Sequence, residues 1–572
     1  MERSILILGE KPEQADNPSP HPGFRERYPT LFAPLQTEAY RRVREGRSCA
    51  LTAPTSSGKT LAIAAPLFET RRPAVFVLPF RALILDQSNE LMRIAEIFGI
   101  PETAFAAIWG GTSYPDIAEA VRRDYLLITP DKLISLFAAG RRGNAAALNI
   151  LNKYDFVFDE IHVYNALMLT SLKYFLRSVR YWQELRPRKS GFYFLSATFP
   201  PEVWQMLQEE LGLTYDDRIE GVSYTGNARL LIKPAKTVSE TTEGDIPVVQ
   251  DMEALDITRD VVGIFNSAYR AWLVCQGLGG LLFIGQDKMN EAERRRNFAS
   301  FRGCPEDYAL IGSPAIEAGV DFIAKNLVIE ESYQDSFVQR FGRAARSGRD
   351  ALVLAYSDTL YDLLQRGMLA SQYERLAFLE ELRAATERRG SRRLFTGLAA
   401  YAYYGFWNDP GFPMEPEHRK LCERLQRAGV DNIMAFRGLT PYTHYESGES
   451  ISFKALFRKA LPVNEATGKV RGGPDPTCYF KTRRREPVFG EVVKDKIADK
   501  EEVEDGSTII LAKVRFSLGL GTHWVLLELA PPTSFEDEDD NMRLRIGNGE
   551  YGRRQDGGSI GNTLIRFYDV DA

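Results

Sequence analysis

Cysteine is scarce: five residues, Cys49, Cys275, Cys304, Cys422 and Cys478, are scattered through 572, and no two form a C-x-x-C pair. That spacing supports neither a disulfide framework nor a zinc ribbon, and it fits a reducing cytoplasm. Long apolar runs are also missing. No stretch of about 18 apolar residues occurs, since Arg81 breaks the most apolar segment near 75–85, so a membrane-spanning helix is not expected. The opening MERSILILGEKPEQ lacks a basic start ahead of a long apolar core, which disfavours a secretory leader. Positive charge is not in excess either: 72 Lys+Arg stand against 77 Asp+Glu, a formal net charge of -5. This excludes a uniformly basic nucleic-acid binder but leaves room for a local basic channel. What remains is a globular composition, 44% hydrophobic and 26% charged, which rules out global disorder and fibrous repeats. At about 150 residues per domain the length allows roughly four domains or fewer.

From about residue 48, short apolar runs recur, each followed by a turn and a stretch with helical spacing: SCALT, AVFVL, YLLIT, DFVF and FYFLS. Continuous apolarity predicts strands buried on both faces, and the spacers suit helical crossovers of a parallel sheet. A second series, GGLLFIG, DYALIGS, NLVIEE and ALVLAYS, follows a polar stretch at 236–250. The pattern predicts an α/β fold with two tandem parallel-sheet lobes, 36–225 and 226–358, the second strand series beginning near 255. Residues 1–35 read as an N-terminal extension whose Pro-rich part, 11–30, reads as irregular. Residues 359–430, dense in Leu, Arg, Glu and Ala, predict a helical connector. Residues 431–572 predict a smaller β-rich C-terminal domain, most plainly at STIILAKVRFSLGLGTHWVLLELA.

The segment Ala53-Pro54-Thr55-Ser56-Ser57-Gly58-Lys59-Thr60 lies between a predicted strand and the helical LAIAAPLFE. Apart from Ala53 at the opening glycine position it satisfies the P-loop pattern in its strand, loop, helix context. Backbone N–H groups there point at anionic oxygens, Lys59 adds a charge on the β and γ phosphates of ATP, and the Thr60 hydroxyl can ligate Mg2+. Alone, the segment also fits a Ser/Gly turn capping a helix. Asp159-Glu160-Ile161-His162 ends the strand DFVF. An acid at a strand terminus can hold Mg2+, and the next carboxylate can orient and deprotonate an attacking water. Ser196-Ala197-Thr198 follows FYFL and is a weak signal by itself. In Gln339-Arg340-Phe341-Gly342-Arg343-Ala344-Ala345-Arg346, arginines three apart on a helix share one face, so Arg343 and Arg346 can both reach charge on a γ-phosphate; a solvated basic face is the plainer alternative.

In this order on two α/β lobes, the four segments resemble the superfamily 2 helicases and translocases, over residues 32–356. The resemblance implies two RecA-like lobes. It makes Gln36 the adenine-sensing residue, and His162, Ser196 and Thr198 the link between hydrolysis and nucleic acid. Pro79-Phe80-Arg81-Ala82-Leu83, Gly110-Gly111, Thr129-Pro130-Asp131-Lys132-Leu133 and Ser313-Pro314-Ala315-Ile316-Glu317-Ala318-Gly319-Val320-Asp321 look like the segments that grip a single strand or couple that grip to ATP. Pro79, Arg81, Gly110, Gly111, Thr129 and Ser313 are thus assigned to nucleic acid, and Gly319 and Asp321 to ATP. Such groups contact phosphates without reading bases. More narrowly, APTSSGKT, DEIH, LSATFPPE, EAGVDF and DSFVQRFGRAAR look similar to the CRISPR-associated type I interference helicase. Ala345 stands where many relatives have Gly, and Ser313 where many have Thr. None of the five histidines, His21, His162, His418, His444 and His523, begins a His-Asp pair. The match is therefore to the helicase-only form, as in type I-D systems, which implies an RNA-guided surveillance complex and a separate HD nuclease subunit as partners and no DNA cleavage by this chain.

Weaker features remain. Arg294-Arg295-Arg296 and Arg483-Arg484-Arg485 fit a nucleic-acid path or a solvated face. Tyr401, Tyr403, Tyr404, Phe406 and Trp407 fit base stacking or, more commonly, core. Glu536 to Asp540 reads as an acidic loop. Together these readings predict an ATP-driven translocase on single-stranded DNA, against an RNA helicase of the DExH type or an ATP-binding scaffold that recruits a nuclease.

Overall fold

The computed structural model describes residues 4–430, apart from 55–56, 80, 110–111, 139–140, 165, 186–188, 198, 223, 243, 285–288, 290, 317–321, 333 and 387–392, and strand segments within 457–569. The first lobe is a seven-stranded sheet, all parallel, in the spatial order Arg218–Glu220, Cys49–Thr52, Phe192–Ser196, Asp155–Phe158, Ala74–Val77, Tyr125–Ile128 and Phe105–Ile108. Its strands are continuously apolar because successive residues feed two different cores. Ala50, Val75, Val77, Phe156 and Phe194 pack on one face, while Cys49, Leu51, Phe76, Val157 and Tyr193 pack on the other.

The second lobe is an eight-stranded sheet whose centre, Ala309–Gly312, Val261–Ile264, Asn326–Glu330 and Ala351–Tyr356, is parallel. The α/β class and both lobes stand as the sequence predicts. The first 35 residues, however, do not form an extension. Ser4–Leu8 pairs antiparallel with Ala228–Lys233 and parallel with Gln372–Glu374, burying Ile5 and Ile7 in the second lobe. Residues 13–33 then build onto the first lobe, so the irregular reading of 11–30 is corrected. Glu13–Asp16 and Thr30–Ala33 form an antiparallel hairpin around the helix Pro22–Arg27. Prolines misled because local side chains satisfy the backbone: Asn17 Nδ2 donates to Tyr28 O at 2.7 Å, and His21 Nδ1 accepts from Phe24 N at 3.3 Å.

Residues 359–430 are mainly helical but divided between the lobes. Arg375–Ala385 packs in the second-lobe core through Phe378, Leu379 and Leu382. Arg393–Trp407 returns to the first lobe, where buried Tyr403 stands 5.0 Å from the Phe137 ring and Trp407 Nε1 donates to Ser178 Oγ at 2.8 Å. The aromatic run is therefore core. After 430, the strands Met542–Ile546, Val488–Glu502, Thr508–Phe516, Gly521–Leu529 and Arg566–Asp569 make an antiparallel sheet, in line with the β-rich expectation. Arg424 ties this sheet to the helix Pro416–Arg427 through Asp499 at 3.0 Å. Arg483–Arg485 and Glu536–Asp540 lie outside the described residues. Among the described residues, no helix is long and apolar enough to cross a membrane.

Candidate active site

Between the strand Cys49–Thr52 and the helix Lys59–Glu69, the chain turns through Gly58 at φ 77, a left-handed conformation that a side chain resists. An added Cβ there would stand 2.1 Å from Gln36 Nε2. Gln36 is buried and braces the turn, its Nε2 donating to Ser57 O at 3.0 Å and its Oε1 accepting from Phe32 N at 2.9 Å. Lys59 Nζ donates to Ala53 O at 2.7 Å and Pro54 O at 3.0 Å, folded over the loop where a phosphate would take those bonds. Burial holds its ammonium below the usual lysine range, against the pull of Glu160 and Asp159. The Ser57 hydroxyl is buried without a hydrogen-bond partner among the described residues, and Thr60 lies in the first helical turn. A glycine cradle, an unmatched hydroxyl and a helix N-terminus suit an anion. Thr55 and Ser56 lie outside the described residues.

Asp159 and Glu160 follow the strand Asp155–Phe158, at the same carboxyl edge of the sheet. Glu160 sits at φ 48, a backbone conformation uncommon outside glycine, and its N–H donates to Asp159 Oδ1 at 2.8 Å. The two carboxylates are driven apart. Burial and the Glu160 charge push Asp159 above the usual carboxylate range. Burial would raise Glu160 too, but Lys59, His162, Arg343 and Arg346 outweigh it and hold Glu160 below its ordinary value. His162 Nδ1 lies 3.3 Å from Glu160 Oε2 and 3.2 Å from Ser196 Oγ, and accepts from Ala197 N at 3.4 Å. Burial lowers its pKa to about 4, so the ring is neutral near pH 7. The acidic turn is thus physically joined to the end of the strand Phe192–Ser196; Thr198 lies outside the described residues.

The second lobe faces this turn. Its helix Gln334–Phe341 stops before Arg343, and Ala345 (φ 58), Ser347 (φ 59) and Gly348 (φ 73) carry the chain through a tight loop. Arg343 and Arg346 therefore do not share a helix face, as their spacing predicts; Ala345 at positive φ ends that geometry. Both are nonetheless brought to Glu160, whose carboxylate feels their charge across the cleft. Arg343 also lies 5.1 Å over the Phe322 ring, and Arg346 forms a β-bridge with Thr225 in the linker between lobes. Gln339 is buried on the preceding helix. Pro79, Thr129 and Ser313 are buried just past the strands Ala74–Val77, Tyr125–Ile128 and Ala309–Gly312. Gly110, Gly111, Gly319, Asp321 and the Arg81 side chain lie outside the described residues. Two contributors carry no motif signal: the linker Thr225–Gly226, and Arg375, which holds the arginine loop from another helix.

Residues 33–207 match the DEAD/DEAH box helicase family, and residues 278–348 the helicase conserved C-terminal domain. The chain is 34% identical over 140 residues to the uncharacterized ATP-dependent helicase YprA of Bacillus subtilis (strain 168), covering 23% of this chain and 18% of that protein. It is 24% identical over 349 residues to the probable ATP-dependent RNA helicase DDX46 of Homo sapiens, covering 55% of this chain and 31% of that protein. The chain thus spans less than half the length of either relative. Among solved structures, the DUF1998 helicase MrfA bound to DNA and AMPPNP shares the fold, with TM-score 0.61 at 16% identity over 96% of this chain and 81% of that chain. In chain order, residues 33–207 are thus similar to a DEAD/DEAH box helicase domain and residues 278–348 to a helicase conserved C-terminal domain.

Proposed function

We propose that the chain is an ATP-driven translocase on single-stranded DNA that hydrolyses ATP in the cleft between its lobes. The observation that carries this reading is the Gly58 turn, with Lys59 folded onto the Ala53 and Pro54 carbonyls, at the same sheet edge as Asp159 and Glu160; the charges of Lys59, Arg343 and Arg346 hold Glu160 below the usual carboxylate range. In this reading Lys59 exchanges the Ala53 and Pro54 carbonyls for phosphate oxygens. Glu160 orients and deprotonates the attacking water, while Arg343 and Arg346 offset charge that develops on the γ-phosphate. Thr60 and Asp159 would hold Mg2+, which when bound supplies positive charge beside the β and γ phosphates. His162 and Ser196 pass the state of the acidic turn to the strand-binding edge.

A DNA track is supported by the fold likeness to a DNA-bound helicase along almost the full chain. The second reading, an RNA track, is favoured by relatives named as RNA helicases. The finer role, unwinding a target in CRISPR interference beside an RNA-guided complex and a separate HD nuclease subunit, rests on the motif set quoted above, and a cytoplasmic location rests on the scattered cysteines. Strand displacement on matched DNA and RNA tracks tests the proposal. ATP-dependent displacement on the DNA track is the expected result; displacement on RNA alone would favour the second reading, and ATP binding without turnover on either would favour a scaffold.

A further inference from the structure

We propose that Arg375 is a positioning residue for the Arg343–Arg346 loop, with Glu10 holding Arg375 in turn. The inference rests on the ATPase reading of the cleft. Arg375 opens the helix Arg375–Ala385, beyond both matched helicase domains, and is fully buried. Burying a guanidinium is costly unless its donors and charge are answered; Nε and Nη1 of Arg375 are buried without a hydrogen-bond partner among the described residues, and the bonds that Arg375 does make all go to one loop. Nη2 donates to Ala344 O at 2.9 Å and reaches Gly342 O at 3.4 Å, while the guanidinium lies over the Phe341 ring at 5.6 Å. Arg375 thus touches the residue before Arg343 and both the ring and the carbonyl that flank it.

Burial lowers the Arg375 pKa to about 10, and an acid from the other end of the chain works against that shift. The Glu10 carboxylate attracts Arg375, at the start of the helix Arg375–Ala385. The backbone of Glu10 exchanges two bonds with Thr225: Thr225 N donates to Glu10 O at 2.9 Å, and Glu10 N donates to Thr225 Oγ1 at 3.1 Å. Thr225 bridges Arg346, and Gly226 N donates to Ala345 O at 2.8 Å. The approach is close enough that a Cβ on Gly9 would fall 2.4 Å from Thr225 O, and one on Gly226 2.5 Å from Arg349 C. The loop is therefore clamped between the Arg375 helix on one side and the interlobe linker on the other, with Glu10 joining the two clamps. A loop with Ala345 and Ser347 at positive φ keeps its shape only when its surroundings over-determine it.

The test uses the full chain as wild type, Arg375→Gln, Arg375→Lys and Glu10→Gln. Steady-state ATP hydrolysis at saturating single-stranded DNA is measured alongside affinity for AMPPNP and for ADP–aluminium fluoride, which mimics the transferring phosphoryl group. Misaiming a group that acts on the reacting phosphate costs on the order of 100-fold. Arg375→Gln is therefore expected to lower kcat by about that factor and to weaken ADP–aluminium fluoride, with AMPPNP affinity and KM unchanged. Arg375→Lys is expected to recover part of kcat through the Ala344 carbonyl, and Glu10→Gln to lower kcat less than Arg375→Gln. Wild-type kcat in Arg375→Gln overturns the proposal, as does a loss of AMPPNP affinity equal to the loss of kcat. If Arg375→Gln does not fold, an unchanged kcat in Glu10→Gln overturns it. A wild-type chain with no turnover overturns the ATPase reading together with this proposal, whereas turnover in wild type beside an unaffected Arg375→Gln overturns the proposal alone.

Discussion

In the first lobe, the groups that face the cleft come from two contiguous segments, Ala53–Thr60 and Asp159–His162, each rooted in a strand buried on both faces. In the second lobe, the facing arginines sit on a loop beyond the end of a helix, held by Thr225 and Gly226 upstream and by Arg375 downstream. The first half is held by local bonds, with Gln36 as a brace. The second half is held by the linker that also joins the lobes. In the proposed ATPase, phosphate capture would belong to the first half and charge stabilisation to the second.

The largest effect expected to sharpen this contrast is acid sensitivity of the first half. The buried His162 has a pKa of about 4, against 6.5 for an unperturbed imidazole. The unfolded chain therefore takes up a proton that the folded chain refuses. His162 stabilises the fold fully above pH 6.5, and that contribution is lost as pH falls towards 4, amounting to about 3 kcal/mol at the low end. Denaturant unfolding of wild type and His162→Gln at pH 7 and pH 4.5 checks this: the variant should lose less stability on acidification, and equal losses would break the assignment. Next comes a pair of opposite sign. Gly58→Ala puts a Cβ against Gln36 at positive φ and is expected to cost roughly 1–2 kcal/mol of stability from the backbone alone. Ala345→Gly relieves the same kind of conformation in the second half and is expected to stabilise by under about 1 kcal/mol, after the greater freedom of an unfolded glycine is subtracted. Melting curves of the two variants read both; the same sign in both would break the comparison.

The contrast also explains what could be read from the sequence. The strands of both sheets were legible because residues buried on two faces leave runs such as AVFV and FYFLS. Lys59, Asp159, Glu160 and His162 were legible because their chemistry is local. The strand Ser4–Leu8 was not, since its five residues pair with a strand beginning at Ala228 and nothing near them marks that partner. The Pro-rich segment 11–30 was misread because its order depends on specific bonds from Asn17 and His21. The spacing of Arg343 and Arg346 marks them as a pair, but Ala345 at positive φ does not allow them a shared helix face. The influence of Glu10 on Arg375 leaves no sequence signal, because the two come near each other only after the chain has passed through the first lobe and returned to the second.

If turnover requires the second lobe's arginines at a phosphate held by the first, ATP hydrolysis at saturating single-stranded DNA by wild type and Arg343→Ala, with ATP affinity measured on the same samples, will show it. Arg343→Ala is expected to lower kcat on the order of 1,000-fold or more with ATP affinity retained. A wild-type rate in Arg343→Ala would contradict it.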